Sequence, residues 1–301
     1  IRTILLQRSS VKSLTFLGDM FDGVQCPCIL LQLIATGKPL STAGMMIEDR
    51  TRTYTIAMER TVVPENFSFR MTDEEYRVLE KIKNSIPVCY LADHADFALG
   101  IVTGNNKKFL SAEKTENSEM VLKGTDICKY HINPAKQYLR FEPEQFQQVA
   151  PLEIYRAPEK LLYRFISNQL VVAYDDRQML SLNSCNIVIP KIEGMQIKYI
   201  LAILNSSVSQ FVYQKEFHSI KVLRAHMEHI PIPRVGKAIQ NEIIAMTEPL
   251  ICGMGKEEAE TCQKRLDCRI MELFRLSAEE QRIIRHALRS EEHTSELQSQ
   301  R

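Results

Sequence analysis

Glycines, asparagines and lysines fall together in one short stretch, GIVTGNNKKF at residues 100–109. Glycines followed by paired lysines suit a phosphate-binding loop, in which backbone N–H groups and a helix N-terminus wrap the anion and a lysine neutralises it. The spacing here argues against that use. Gly100 and Gly104 are one residue too close, Asn stands where the lysine should follow, and no helical pattern begins at Asn105. What remains is a turn beside positive charge, with Asn105, Asn106, Lys107 and Lys108 as candidate ligands for a polyanion.

Other reactive constellations are missing. No G-x-G-x-x-G occurs, and FLGDMFDG (16–23) lacks the second close glycine of a cofactor-binding turn. No Asp or Glu stands two residues before a Lys, as the common metal-dependent nucleases require, and no Pro-Pro dipeptide occurs, so the amino-methyltransferase motif is absent. His226 and His229 flank Glu228 at a spacing that could share a helix face, but a pair this small reads as cap or surface chemistry rather than a metal site. His218 and Lys221 form no recognisable acid–base dyad. The eight cysteines are scattered without C-x-x-C spacing, and Cys26-Pro27-Cys28 is too tight for a zinc hairpin, so buried free thiols in a reducing cytosol are expected. Catalytic, cofactor-binding and metal residues are therefore all expected to be none.

Charge is balanced overall, at +1, but placed unevenly. Residues 100–140 carry seven Lys or Arg against four acids, residues 155–224 carry nine against five, and 141–154 between them hold three acids and no base. Phe109, Tyr130, Tyr138, Tyr155, Tyr163, Phe165 and Tyr174 lie among those bases. Two readings stand side by side: a nucleic-acid face with bases on loops, or a solvated face over a β core in which the tyrosines are ordinary strand residues.

The elements that must position these groups follow from periodicity. SLTFLGDMFDG (13–23), CILLQLIA (28–35, a buried strand) and TRTYTIAME (51–59, alternating through Tyr54, Ile56 and Met58) read as strands. TDEEYRVLEKIKN (72–84) is a helix with a Thr72–Glu75 capping box. FALGIVTG (97–104) is a strand, and 105–151 is loop-rich. KLLYRFI (160–166) and QLVVAYD (169–175) are strands joined by a tight hairpin at Ser167-Asn168, followed by NIVIP (186–190). Residues 196–214 read as one amphipathic helix, HIPIP (229–233) as extended, and 237–252, 257–274 and 277–288 as helices, the last with a Ser277–Glu280 capping box. Strands, loops, strands and then helices argue for an α+β fold. No apolar run is long enough to span a bilayer, so no membrane partner is expected. The chain opens on Ile1 directly into a strand-like pattern, which suggests truncation. RSEEHTSELQSQR (289–301) is polar and aperiodic, resembles a translated sequencing adapter and is expected to be disordered.

In order, GIVTGNNKKF (100–109), LKGTDICKY (122–130), LLYRFISNQLVVAYDDRQMLSLNSCNIVIP (161–190), YILAILNSSVSQFVYQKEF (199–217) and KVLRAHMEHIPIP (221–233) resemble the TaqI-like C-terminal specificity domain. That domain belongs to adenine-specific DNA methyltransferases of restriction-modification systems, including single-chain enzymes with a fused nuclease. RLDCRIMELFRLSAEEQRIIR (265–285) resembles the helical tail of the same proteins, with Asp267 early in its helix and Leu276 to Glu280 as the following cap.

The resemblance implies last methyltransferase strands at 1–63, a helical linker at 64–96, a target-recognition domain of mixed sheet at 97–233 and C-terminal helices at 234–288. It also implies a cytoplasmic protein whose intact form flips an adenine and methylates N6 from S-adenosylmethionine, its cofactor turn and Pro-Pro motif lying in a missing methylase or nuclease portion. This part would bind double-stranded DNA through Asn105, Asn106, Lys107, Lys108, Lys123, Lys129, Arg164, Asn183, Lys215, Lys221 and Arg224. The alternative is a protein-interaction scaffold or specificity subunit, with helices 237–288 docking a separate catalytic partner.

Overall fold

The computed structural model describes residues 2–21, 23, 26–49, 52–62, 68–217 and 219–299, and their side chains except those of Asp19 and 291–299. Parts of the strand segments at 13–23 and 51–59, His218 and the last two residues lie outside the described residues. The chain divides into two units, Ile1–Glu80 with Lys215–Phe217, and Lys81–Gln214 with His218–Arg301. The architecture is α+β, as the order of elements suggests.

The first unit begins with α1 (Arg2–Arg8), where a strand was expected. Its Leu, Gln and Arg side chains lose little rotamer freedom in a helix, and the Ser9 hydroxyl donates to Leu5 O (2.7 Å) at its end. Strands β1 (Ser9–Asp19), β2 (Pro27–Ala35), β3 (Met46–Glu48) and β4 (Thr53–Thr55) form a sheet in the order β2-β1-β3-β4, parallel only between β1 and β3. Val11, Leu14, Met45, Ile47, Ile56 and Phe69 make its core. The expectation that 28–35 is buried fails. β2 is an edge strand, and Ile29, Leu30, Leu33 and Ile34 are exposed. The continuous apolar run is that of a strand covered on both faces, but in this sheet β2 lies at the edge, paired with β1 alone. α2 (Asp73–Asn84) has the expected box: Thr72 N–H donates to Glu75 Oε2 (2.8 Å) and Glu75 N–H to Thr72 Oγ1 (3.2 Å).

The second unit holds β5 (Val88–Cys89), β6 (Ala95–Ala98), α3 (Asn106–Phe109), β7 (Leu110–Ser111), β8 (Ser118–Leu122), β9 (Gln137–Arg140), α4 (Leu152–Tyr155), β10 (Lys160–Arg164), β11 (Val172–Asp175), β12 (Leu180–Ser181) and β13 (Cys185–Pro190). Helices α5 (Ile197–Asn205), α6 (Ser207–Phe217) and α7 (Arg224–Glu228), strand β14 (Ile232–Pro233) and helices α8 (Lys237–Cys252), α9 (Lys256–Leu273) and α10 (Ala278–Ser299) follow. An antiparallel sheet, β11-β10-β13-β6, and a mixed sheet, β12-β8-β9-β7, share one core that includes Ile101, Val121, Leu139, Leu162, Ala173 and Ile187. β14 pairs with β5.

Several expectations change here. The stretch 105–151 contributes three strands rather than loops alone, each too short to show a period. β10 and β11 are joined by residues 165–171, because Tyr163 pairs with Val172 and leaves no two-residue turn. The helix expected at 196–214 is two helices broken at Ser206, and α5 is buried on nearly every side. At the break Asp267 of α9 accepts the Ser207 N–H (2.8 Å). All eight cysteines are free, but only Cys89 and Cys185 are buried. The backbone of 289–299 is helical, the continuation of α10, rather than disordered. Leu266, Ile270 and Met271 of α9, Phe274 after it and Ile284 and Ala287 of α10 are buried, so those apolar stripes are core within this unit.

Gly100 sits where the two sheets meet, and a Cβ there would lie 2.1 Å from Leu182 O and 2.6 Å from Cys185 O. Both are backbone atoms and cannot swing away. Gly100→Ala is expected to cost about 1–3 kcal/mol, as overpacking does, read as a lower urea midpoint; an unchanged midpoint would show that the approach is not required.

Candidate nucleic-acid interface

One turn organises the loops that carry the candidate residues. Leu182 N–H donates to Leu122 O (2.8 Å), Asn183 N–H to Ile101 O (3.1 Å) and Ile101 N–H to Ser181 O (2.7 Å). Ser184 continues the junction: its hydroxyl accepts Gly124 N–H (3.0 Å) and its carbonyl accepts Phe165 N–H (3.0 Å). Gly124 also has to be glycine, since a Cβ would stand 2.5 Å from Ser184 O. Segments at 100, 124, 165 and 183 therefore converge on a single turn. Phe165 O then accepts Val222 N–H (2.8 Å) and Ile220 O accepts Ser167 N–H (2.9 Å), which adds the 219–223 segment.

The opening stretch is more structured than its spacing suggests. Gly104 takes φ +75°, the left-handed turn open to glycine, and leads into the single-turn helix α3. Asn105 caps that turn by accepting Lys108 N–H (3.2 Å), and Asn106 Oδ1 accepts the Thr103 hydroxyl (2.6 Å). Lys107 and Lys108 are exposed. Lys108 Nζ reaches Gln145 Oε1 (2.7 Å) and lies 4.7 Å from the Phe109 ring centroid. The expectation that no helix begins at Asn105 fails, although one turn of four residues is too short to build an appreciable dipole.

The other candidates divide by burial. Asn183, Lys221 and Arg224 are exposed; Lys221 lies over Phe165 and Arg224 over Phe97 while pairing with Glu228 (2.7 Å). Lys123, Lys129 and Arg164 are half-buried. Arg164 Nε donates to Ile127 O (2.7 Å), and Lys129 Nζ lies 3.4 Å from Asn205 O. Lys215 is a correction: it is 1% exposed and pairs with Glu75 (3.0 Å) inside the first unit, so it cannot meet a duplex. Burial pushes the Glu75 carboxyl up, but Lys215 and Arg52 more than offset it and hold it below the ordinary carboxylate value. Tyr130, Tyr155, Tyr163 and Tyr174 are buried, so they are core residues and not a stacking platform. Ile166 and Ile220, in the bonded segments 165–167 and 219–223, are exposed. Their only sequence signal is an apolar residue set among polar ones at a turn.

His226 acts as a cap: its Nδ1 accepts Leu223 N–H (3.2 Å). Burial and then nearby His229 lower its pKa below the ordinary 6.5. Among the described residues no cluster could hold a metal ion, and no helix is long and apolar enough to cross a membrane. Gly18 of FLGDMFDG pairs with Cys28 inside the β1–β2 ladder.

Two outcomes are expected. Lys215→Met leaves Glu75 buried with one partner fewer and should cost about 3–5 kcal/mol, the usual cost of breaking a buried pair, with no change in the salt dependence of DNA binding; a changed dependence would restore Lys215 to the interface. A depressed histidine pKa contributes stability that is present above pH 6.5 and lost as pH falls through the folded value. The urea midpoint should fall on acidification below pH 6.5, and His226→Gln should flatten that fall. An NMR titration placing His226 above 6.5 would refute it.

Residues 119–232 match the family described as the TaqI-like C-terminal specificity domain. No curated protein matches the chain. Among solved structures, the type IIL restriction-modification enzyme MmeI, in complex with DNA, is similar at TM-score 0.56 and 9% identity, covering 90% of this chain and 44% of that one. The type IIG restriction endonuclease BpuSI covers 91% of this chain and 44% of its own at 9% identity and TM-score 0.40. The HsdS subunit from Thermoanaerobacter tengcongensis gives 71%, 50%, 15% and 0.37 for the same quantities. This chain thus spans less than half of the MmeI chain, and that likeness bears on fold alone. The fold is thus similar to that of a restriction-modification enzyme, and the match to the TaqI-like C-terminal specificity domain family lies at residues 119–232.

Proposed function

We propose that this chain selects the DNA target of an N6-adenine methyltransferase in a restriction-modification system. The observation that carries this reading is the coincidence of the specificity-domain match with one rigid junction of loops. On it, Lys107, Lys108, Lys221 and Arg224 neutralise phosphates, and Asn105, Asn106 and Asn183 face the bases. Lys123, Lys129 and Arg164 hold the loops in place through their half-buried stems.

Backbone-bonded loops suit this task, since base readout depends on donors held in register with the groove. In the intact enzyme the methyl donor is S-adenosylmethionine, bound by a methylase portion other than these residues. The apolar edge of β2 is accounted for on the same reading as a surface that portion covers. A cytoplasmic location is part of the same reading.

Duplex binding is expected to weaken linearly in log–log form with salt, with a slope near −0.9 per phosphate contacted. Lys107→Ala with Lys108→Ala should weaken binding to every sequence and reduce the slope by about two. Binding that is absent at low salt, or indifferent to salt, would sink the proposal.

A further inference from the structure

The three asparagines of the interface differ in what their amides are free to do. Asn105 Oδ1 accepts Lys108 N–H (3.2 Å) and Asn106 Oδ1 accepts the Thr103 hydroxyl (2.6 Å), so both spend their acceptor on the turn that carries them. Asn183 makes no such commitment. Its side chain is exposed and, among the described residues, takes part in no hydrogen bond. Its backbone is fixed all the same: Asn183 N–H is bound to Ile101 O, Leu182 N–H to Leu122 O and Cys185 N–H to Leu182 O (3.1, 2.8 and 2.7 Å). A free amide on a backbone held at this many points is preorganised for a partner outside the chain.

The segments bonded to that turn indicate the charge of the partner. Ile101 leads toward Lys107 and Lys108, Gly124 follows Lys123, and Phe165, bound to Ser184 O, follows Arg164, whose own strand partner is Cys185. Residues 100–109, 122–130, 161–167 and 180–186 together hold five Lys or Arg and one acid. That acid, Asp126, is buried and accepts Lys123 N–H (2.8 Å), so it offsets little of the charge outside. A ligand laid on the turn therefore has an anionic frame, with a neutral polar edge where Asn183 meets it. Duplex DNA has that arrangement, phosphates outside and base edges within the groove. An asparagine amide sets an acceptor and a donor side by side in one plane. In the major groove adenine matches both, with N6–H donating and N7 accepting, whereas guanine presents two acceptors and cytosine and thymine one polar group each.

We infer that Asn183 is a specificity-determining residue that reads one adenine in the major groove, its Oδ1 accepting from the N6 amino group and its Nδ2 donating to N7. The inference rests on the DNA-recognition reading and adds a base and its reader to it. Exposed lysines supply affinity for any duplex, and the turn at 182–184 supplies the choice of base at one position.

The test uses the full chain and a random-sequence duplex pool. In the best-bound duplex each adenine is replaced in turn by 7-deazaadenine, which removes only the N7 acceptor and keeps the pairing with thymine. Wild type is expected to lose about tenfold in affinity at one position, within the discrimination a bidentate contact provides. Asn183→Ala should abolish that difference while keeping the salt slope and the urea midpoint, because the side chain is exposed and its φ lies outside the left-handed region. Equal wild-type binding at every substituted adenine, or a difference that survives in Asn183→Ala, overturns the inference and leaves the DNA reading standing. A lower urea midpoint in Asn183→Ala overturns it in favour of a structural role for the amide. No duplex binding at low salt overturns both.

Discussion

The outward face of the second unit depends on a backbone approach that only glycine permits. Leu182–Ser184 lies so near Gly100 and Gly124 that a methyl group on either would meet a carbonyl oxygen at 2.1 or 2.5 Å. With both Cβ atoms absent, the turn can donate and accept across three neighbouring segments at once. Backbone-to-backbone bonds set their geometry without relying on flexible side chains. The loops expected to carry Asn105–Lys108, Asn183 and Lys221 are held by the same junction, and the two sheets behind it supply the buried core that keeps it rigid.

Burial then decides which charges work outward. Lys160 and Asp175 stand opposite one another in β10 and β11, fully buried and 2.5 Å apart, with Tyr155 O as a further acceptor for the ammonium (2.6 Å). Lys215 is spent in the same way on Glu75, which also takes Arg52 at 3.2 Å. Asp267 serves as an interior cap for the Ser207 N–H; burial pushes its carboxyl up, and that bond together with Gln263 and Lys129 only partly offsets it. A count of lysines and arginines along the chain treats all of these as surface charge. The basic face is therefore smaller than the count suggests and concentrated on loops.

Much of the fold was legible locally. Both capping boxes, Thr72–Glu75 and Ser277–Glu280, form as their spacing requires, because each is settled within four residues. The helices at 237–252 and 257–274 and the strand NIVIP follow from periodicity in the same way. The missed strands β7, β8 and β9 are two to five residues long and exist because partners lie beside them. The break at Ser206 depends on Asp267, sixty residues away, and no local signal announces it.

The sequence by itself determined the α+β class and the order of motifs that resembles a TaqI-like specificity domain. Those properties reside in residue type and short spacing. Only the tertiary structure decided that Lys215 is interior, that Tyr130, Tyr155, Tyr163 and Tyr174 are core, and that Ile166 and Ile220 are exposed. Burial and juxtaposition are properties of contacts between distant segments, and no local pattern carries them.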